Sequence, residues 1–174
     1  MRRSSVPLLL LIGTAVSLLN SGTKRDFPRP IGYVNDFANV VDVPTKHRLA
    51  QLCAEVEKKT NAQIAVVTVQ TLAGSPIEDY ALHLFNEWGI GHKEDNRGLL
   101  ILLSMTEHKY RIEVGRGFET LFPNERVAKI GAEMIPDLKV RHYSQALLRC
   151  TQTLASIVAE ERHTKLRSFP SQGQ

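Results

Sequence analysis

The strongest pattern of hydrophobic and polar positions lies between residues 95 and 119. Residues 99–103 form a run without a polar side chain, which predicts a central strand buried on both faces. Residues 110–114 alternate between apolar and polar types, which predicts a strand with one face toward water. Residues 105–108 connect the two, and so short a connection predicts an antiparallel hairpin.

A helix and a strand are predicted upstream of the hairpin. Apolar residues recur at helical spacing from Pro44 or Thr45 to Lys59, and Asn61 is expected to end this first helix. Residues 62–69 are rich in uncharged β-formers, which predicts a strand.

The second helix has the clearest start signal in the chain. Ser75 is predicted to cap it, Pro76 to take the first helical position, and Glu78 to complete a capping box. Gly89 is predicted to stop it. Because this helix lies between two predicted strands, the three elements should form a parallel crossover unit.

Two further helices are predicted after the hairpin. Asn124 can cap the third, with Pro136 beyond its end, and the last spans residues 144–161. The predicted fold class is therefore α/β. It consists of a small mixed β-sheet of three or four strands, built from a β-α-β crossover and an antiparallel hairpin and covered by about four helices.

Residues 1–22 have the pattern of a signal peptide or an N-terminal membrane anchor. Two arginines precede an apolar run at 6–19, and small or polar residues follow. The run is shorter than the ~20 residues that a spanning helix needs, whereas Leu19 and Asn20 make a poor cleavage site. Both outcomes stay open. Each predicts an exported, extracytoplasmic or periplasmic protein, with membrane contact through this segment if it is not cleaved.

The remaining chain divides by composition. Residues 23–31, with two prolines and several charges, are predicted to be a linker. Residues 32–161 hold all the periodic segments and form one α/β domain, and residues 162–174 are predicted to be a flexible tail. At 174 residues, with 43% hydrophobic and 23% charged residues, the composition is that of an ordinary globular protein.

The net charge of +4 does not indicate a nucleic-acid partner. Part of the positive charge lies outside the predicted domain, at Arg2, Arg3, Lys24 and Arg25. No stripe of Lys and Arg interleaved with aromatic residues supports such binding.

Familiar catalytic motifs are absent from the sequence. It has no Gly-x-Ser-x-Gly elbow, no Walker A loop and no His-Glu-x-x-His zinc motif. Cys53 and Cys150 lie on the apolar sides of helical patterns, so burial as small hydrophobic residues is the favoured interpretation, although a disulfide is allowed in an oxidising compartment. Among the histidines, His92 is retained as a candidate because it precedes Asp95 in one loop.

Acidic residues supply the best candidate chemistry. Antiparallel pairing in the hairpin should bring Asp95, Asn96 and Glu119 to one edge of the sheet, with Glu113 on the face opposite Tyr110. Carboxylate and amide oxygens are suited to Ca²⁺ or Mg²⁺, and such an ion could hold a phosphate or polarise water.

Two alternatives to this acidic edge stay open. Residues 95–98 are also typical of a simple turn, and Glu113 and Glu119 could pair with Arg111 or Arg116. Ligands of parallel sheets usually bind beyond the carboxyl ends of the strands, which would place a site near residues 71–75 instead.

Five blocks of the sequence resemble the TPM domain family, which is known from thylakoid-lumen proteins of photosystem II repair and from exported bacterial proteins. They are Tyr-Val-Asn-Asp-Phe-Ala-Asn-Val at 33–40, Ala-Gln-Ile-Ala-Val-Val-Thr-Val at 62–69, Trp-Gly-Ile-Gly at 88–91, Asp-Asn-Arg-Gly-Leu-Leu-Ile-Leu-Leu at 95–103 and Arg-Ile-Glu-Val-Gly-Arg-Gly-Phe-Glu at 111–119. Their order and spacing together carry the resemblance, which covers about residues 31–160.

The resemblance implies one α/β domain outside the cytoplasm, often tethered to a membrane. It also implies weak acid-phosphatase activity and binding of a divalent cation such as calcium. Carried over to this sequence, the metal ligands would be Asp36, Asp95 and Glu119, with Asn96 and Glu113 as weaker candidates.

Two functional hypotheses follow. The first is an exported accessory module that binds membrane-associated protein complexes during assembly, repair or maintenance, with a divalent cation at the acidic edge. The alternative is a weak metal-assisted acid phosphatase, with Asp95 and Glu119 as catalytic candidates and Arg97 and Arg116 as substrate-binding candidates. The lack of any recognisable catalytic constellation slightly favours the first.

Overall fold

The computed structural model describes residues 27–167. The predicted signal peptide or anchor lies outside this range, as do the start of the linker and the end of the tail. Within the described residues, no helix is long and apolar enough to cross a membrane.

Four strands form a single mixed sheet in the order β1-β2-β3-β4. They are β1 (Val34–Asp36), β2 (Gln63–Val69), β3 (Gly98–Ser104) and β4 (Lys109–Val114). β1 and β3 each pair parallel with β2, and β4 pairs antiparallel with β3, with Leu99 opposite Val114. The predicted α/β class, mixed sheet and hairpin are confirmed.

Among residues 27–167, five helices cover the sheet, one more than the roughly four expected. They are α1 (Val43–Thr60), α2 (Ile77–Trp88), α3 (Asn124–Ala132), α4 (Ile135–Lys139) and α5 (Tyr143–Glu161), with a single 3-10 turn at Arg116–Phe118. The additional helix is short and holds Pro136 in its first turn, where the missing N–H of proline costs nothing.

The uninterrupted apolar run of β3 is explained by a core on each face of the sheet. Leu99, Ile101 and Leu103 belong to a cluster with residues of α1, α3 and α5. Leu100 and Leu102 belong to a second cluster with residues of α2. Fully burying each of these side chains contributes about 1.5–3 kcal/mol, so β3 organises both cores.

The predicted helix caps are only partly right. Asn61 ends α1, as predicted, and it does so in the left-handed conformation. Asp42, for which no cap was predicted, caps the start of α1 by accepting a hydrogen bond from the Thr45 amide at 2.8 Å. The side-chain caps predicted for Ser75 and Asn124 are wrong. Each of these helices begins after a proline in extended conformation, and the proline itself occupies the cap position.

Helices α1 and α5 pack together on one face and bury both cysteines as free thiols. Burial raises the pKa of the Cys53 and Cys150 thiols to about 12 in each case. Residues 164–167, which were expected to belong to the tail, contact the domain: Leu166 packs against the core and the amide of Arg167 donates to Glu55 at 2.6 Å.

Candidate functional site

The acidic residues that the resemblance groups together lie in separate places. Asp36 ends β1 at the carboxyl end of the parallel strands, whereas Asp95 lies before the amino end of β3. Asp36 is aligned with Thr68, which is aligned with Leu103, five residues along β3 from Gly98. At about 3.3 Å per residue, the two ends are about 16 Å apart. Asp36 and Asp95 therefore do not share a site.

The carboxylate of Asp36 is fully used by protein donors. One oxygen accepts from the Val40 amide at 3.0 Å and the Thr68 hydroxyl at 2.6 Å. The other accepts from the Val41 amide at 3.1 Å and pairs with the Lys46 ammonium at 2.7 Å. Because a carboxylate offers about four lone-pair positions, Asp36 has none left for a metal ion without losing one of these donors.

The environment of Asp36 favours its ionised form. Its side chain is only 2% exposed, and this burial by itself raises the pKa of the carboxyl group. The donors from Lys46, Thr68 and the two amides outweigh burial and hold the pKa below its ordinary value. Asp36 thus joins the end of β1 to β2 and to the start of α1.

Around Asp95 the backbone follows the predicted hairpin geometry. The Gly115 amide donates to the Gly98 carbonyl at 2.9 Å, and the Gly117 amide donates to the Asn96 carbonyl at 3.2 Å. A Cβ atom on Gly117 would lie 2.1 Å from the Asp95 carbonyl oxygen. These glycines therefore allow two segments of this chain to approach each other, rather than a ligand to approach the backbone.

The side chains at this edge point to different surroundings. Asp95 accepts from the Asn61 side chain at 3.2 Å and from the Arg97 amide at 3.3 Å. Glu119 is exposed and lines a groove along β4. Asn96 adopts a left-handed conformation, with φ of 51°, as is common for asparagine in turns. The loop thus contains a simple turn, in which the Asn96 amide donates to the His92 carbonyl at 2.7 Å, a few residues before the turn that the alternative interpretation put at 95–98. Asn61, at the end of α1, joins Asp95 to the rest of the domain.

Arg97, a predicted substrate ligand, is buried in the structure. Its guanidinium forms a two-pronged pair with the Glu161 carboxylate of α5 at 3.2 and 2.8 Å. It also lies 4.5 Å from the centre of the Phe118 ring. With a residue exposure of 8%, Arg97 connects the start of β3 to the end of α5. Arg116 is exposed instead.

An open groove of about 830 Å³ runs along β4 and holds two of the predicted metal ligands, Glu113 and Glu119. Glu113 pairs with Arg111 at 3.1 Å, which is the alternative pairing considered for this residue. Within residues 27–167, no group of three or more His, Cys, Asp or Glu side chains is arranged to hold a metal ion.

Two polar networks lie outside the predicted site. Glu107, in the hairpin turn, accepts from the Ser104 hydroxyl, the Thr71 hydroxyl at 2.8 Å and the Leu72 amide at 3.0 Å. The Ser104 hydrogen bond is the main cause that lowers the pKa of Glu107 to about 2. Its position near residues 71–75 agrees with the carboxyl-end alternative, but nothing in the sequence distinguishes it from a solvated turn residue.

The second network surrounds Glu57 of α1. Its carboxylate accepts from the Tyr33 hydroxyl and from the Gln63 side chain at 2.8 Å. The hydrogen bond to Glu57 is the main cause that raises the pKa of Tyr33 to about 12. His92 Nε2 lies 3.2 Å from the same carboxylate, so the retained histidine faces Glu57 rather than Asp95. These residues are too far apart in sequence for spacing to group them.

The starts of α1 and α5 form a depression of about 460 Å³ with a basic rim. Arg48, Arg141 and His142 line it and are exposed. Two of the largest exposed hydrophobic side chains, Val43 at 64% and Val140 at 59%, directly adjoin its lining residues in sequence. We call this region the α1–α5 surface.

Comparisons with known proteins place the fold. The three structures below were determined by NMR, and the first two are N-terminal domains. The P. gingivalis domain is 23% identical, with a TM-score of 0.71, over 78% of this chain and 87% of that one. The Corynebacterium glutamicum domain is 13% identical, with a TM-score of 0.61, over 86% of this chain and 95% of that one. A protein from the psychrophilic bacterium Bizionia argentinensis is 15% identical, with a TM-score of 0.61, over 76% of this chain and 95% of that one. These likenesses establish the fold alone.

Among curated proteins, no sequence is similar enough to count as a match. A family model does match: that of the TPM domain, over residues 34–157. This match covers all four strands and nearly all of the five helices. The chain therefore belongs to the TPM domain family.

Proposed function

We propose that this protein is an exported accessory module that docks onto membrane-associated protein complexes and supports their assembly, repair or maintenance. The observation that carries the proposal is the α1–α5 surface, where the exposed Val43 and Val140 are sequence neighbours of residues that line a basic depression. Exposed apolar side chains beside a polar rim are typical of protein interaction sites.

Charge indicates which kind of partner fits this surface. Arg48 and Arg141 have no ion-pair partner within residues 27–167, and His142 adds a third basic group. The lining holds one carboxylate, Asp42, against the guanidinium groups of Arg48 and Arg141. Two cations against one anion leave the surface with a net positive charge, so we propose an acidic partner segment with apolar side chains that cover Val43 and Val140.

The pattern of residues 1–22 supports the proposed location. A basic start followed by an apolar run directs a chain to export. Whether the segment is cleaved or retained, the domain would work outside the cytoplasm, next to membrane proteins.

A charge-reversal experiment tests the proposal. Full-length wild type and the double variant Arg48→Glu/Arg141→Glu are expressed in the source organism, and their migration with membrane complexes is followed on native gels. The wild type is expected to co-migrate with a complex, and the variant is expected to migrate freely because like charges repel at the contact. Added salt should weaken the wild-type association, since exposed charges are screened over about 10 Å at 0.1 M.

Lys58→Glu is the matched control, because Lys58 is exposed on the same helix as Arg48 but in its last turn. This variant should co-migrate like the wild type. Full co-migration of the double variant, or equal loss in the control, would contradict docking through the α1–α5 surface.

A metal-assisted phosphatase remains a second proposal, because Glu113 and Glu119 line the same groove as Asn124. Their oxygens are of the type that Ca²⁺ and Mg²⁺ prefer, and exposed Arg116 lies three residues from Glu119. Asp36 and Arg97 are not part of this version, because the Asp36 carboxylate is fully used by protein donors and Arg97 is buried against Glu161 and Phe118.

Metal titration of the full-length protein tests this second proposal. A cation held by the groove should raise the melting temperature of the wild type through mass action, but not that of Glu113→Gln/Glu119→Gln. The same pair of proteins is then assayed for phosphomonoester hydrolysis with Ca²⁺ or Mg²⁺. Hydrolysis that the double variant lacks would favour the enzyme, whereas equal rates in both proteins would exclude this groove as the catalytic centre.

A further inference from the structure

The outer edge of β4 is unpaired. β4 lies at the end of the sheet order, and no strand among residues 27–167 pairs with its outer side. The groove of about 830 Å³ follows this edge and is lined by residues 110–114 on one side and by Glu78, Glu119 and residues within 122–128 on the other, and Ile112 at its floor is buried. An edge strand with unpaired backbone groups is a ready template for a further strand.

The hairpin register shows which backbone groups face outward. The Gly115 amide donates to the Gly98 carbonyl at 2.9 Å, so these residues form a hydrogen-bonded pair of the antiparallel ladder. Because such pairs alternate along the ladder, the N–H and C=O groups of Tyr110, Ile112 and Val114 point away from β3.

We propose that a second copy of this chain pairs its β4 antiparallel with this edge, about a twofold axis at Ile112. The two four-stranded sheets would then form one continuous sheet. Three hydrogen-bonded residue pairs would contribute about six main-chain hydrogen bonds between the copies. The inference goes beyond the proposed accessory function and uses a surface other than the α1–α5 surface, although it shares Glu113 with the groove of the second proposal.

Side-chain complementarity identifies the second copy as the occupant. In this register Arg111 lies directly opposite Glu113 of the second copy, and Glu113 lies opposite its Arg111. Tyr110 lies opposite Val114 of the second copy, a pairing of aromatic and β-branched residues that stabilises sheets. The strand is thus complementary to itself in charge and in shape.

Charge also selects this register against its neighbours. If the twofold axis were centred on Arg111 instead, Arg111 would lie opposite Arg111 of the second copy. If it were centred on Glu113, Glu113 would lie opposite Glu113. Like charges directly opposite each other destabilise a sheet. Only the register centred on Ile112 uses all the outward backbone groups and opposes unlike charges.

In the joined sheet, the apolar side chains of β4 would stay on the face that packs against the core, and its charged side chains would stay on the other face. Tyr110, Ile112 and Val114 already contact the cluster beneath α1, α3 and α5. Arg111 and Glu113 form their ion pair on the opposite face. Lys109, exposed at the start of the strand, would lie opposite the backbone of Gly115 and would meet no like charge.

A charge-swap experiment on the full-length chain tests the proposal. Sedimentation velocity of the wild type over a range of concentrations is expected to show a reversible monomer–dimer equilibrium. Arg111→Glu and Glu113→Arg should each dimerise about tenfold more weakly, because each creates two like-charge oppositions in the homodimer.

Mixing separates this mechanism from a loss of folding. Arg111→Glu carries two glutamates at the contact and Glu113→Arg carries two arginines, so an equimolar mixture should restore association as a heterodimer. The double swap Arg111→Glu/Glu113→Arg should also dimerise by itself. Lys129→Glu, on the exposed side of α3, is the control and should behave as the wild type does.

Three results would overturn the proposal. They are a wild type that stays monomeric at every concentration, single variants that associate as strongly as the wild type, and a mixture that associates no better than its components. Association driven by residues 1–22 would give the second result, since it would be insensitive to charge on β4.

Discussion

Replacing Asp36 by alanine should destabilise the fold by about 3 kcal/mol. The buried carboxylate serves four donors, of which the Lys46 ammonium can return to water because it is 31% exposed. The buried Thr68 hydroxyl would also lose its acceptor, although its hydrogen can rotate. The amides of Val40 and Val41 would lose their acceptors, and an unsatisfied donor in a partly buried position costs about 1–2 kcal/mol. Against a total stability of about 5–15 kcal/mol, this is a large loss.

Urea unfolding of full-length wild type and variants measures this loss by linear extrapolation. Asp36→Asn should lose less than the alanine variant, because it keeps one acceptor oxygen and the shape of the side chain. Asp95→Ala is the matched control. It removes two longer hydrogen bonds, at 3.2 and 3.3 Å, and should cost less than about 1 kcal/mol.

The pH dependence gives a second test of the same argument. The folded protein holds the pKa of Asp36 below its ordinary value. The stability from this group is therefore present above the unfolded pKa of about 3.9 and is lost as pH falls through the folded pKa. The gap between wild type and Asp36→Ala should shrink in acid. A gap below about 0.5 kcal/mol at neutral pH would refute the structural role of this carboxylate.

Three further changes test the packing and the ion pairs. Gly117→Ala should lower the free energy of unfolding by more than about 1 kcal/mol in the same urea assay, because its Cβ would lie 2.1 Å from a backbone oxygen. In the control Gly32→Ala, the new Cβ meets nothing within 4 Å, so this variant should be neutral or slightly stabilising. Glu161→Ala should lower the free energy of unfolding by about 1–2 kcal/mol in a thermal unfolding experiment, because it leaves buried Arg97 without its partner. The expected loss is smaller than for a fully buried pair because Glu161 is 33% exposed. An unchanged stability would contradict the pairing. Glu107→Gln should lower the urea midpoint at neutral pH and flatten the loss of stability between about pH 4 and pH 2, because the pKa of Glu107 is about 2 in the folded protein; an unchanged acid profile would contradict this.

The fold could be predicted from the sequence because local patterns determine it. The apolar run of β3 and the alternation in β4 are periodic signals that reflect burial directly. The caps were harder to predict because Pro76 and Pro123 adopt extended conformations and take the cap positions themselves. The additional helix α4 is five residues long, too short for a periodic pattern to show.

The site could be predicted only in part, because its side chains depend on tertiary contacts. Hairpin pairing correctly brought the segments of Asp95 and Glu119 together along the backbone. It could not show that Arg97 turns inward to Glu161, which is 64 residues away. Likewise, the saturation of Asp36 by Thr68 and Lys46 requires the sheet register and the path of α1, neither of which local sequence specifies.

The most direct test of the account is native-gel migration of Arg48→Glu/Arg141→Glu beside wild type and Lys58→Glu. Docking through the α1–α5 surface predicts that wild type and Lys58→Glu migrate with a membrane complex and that the double variant does not. Co-migration of all three proteins would contradict the proposed function.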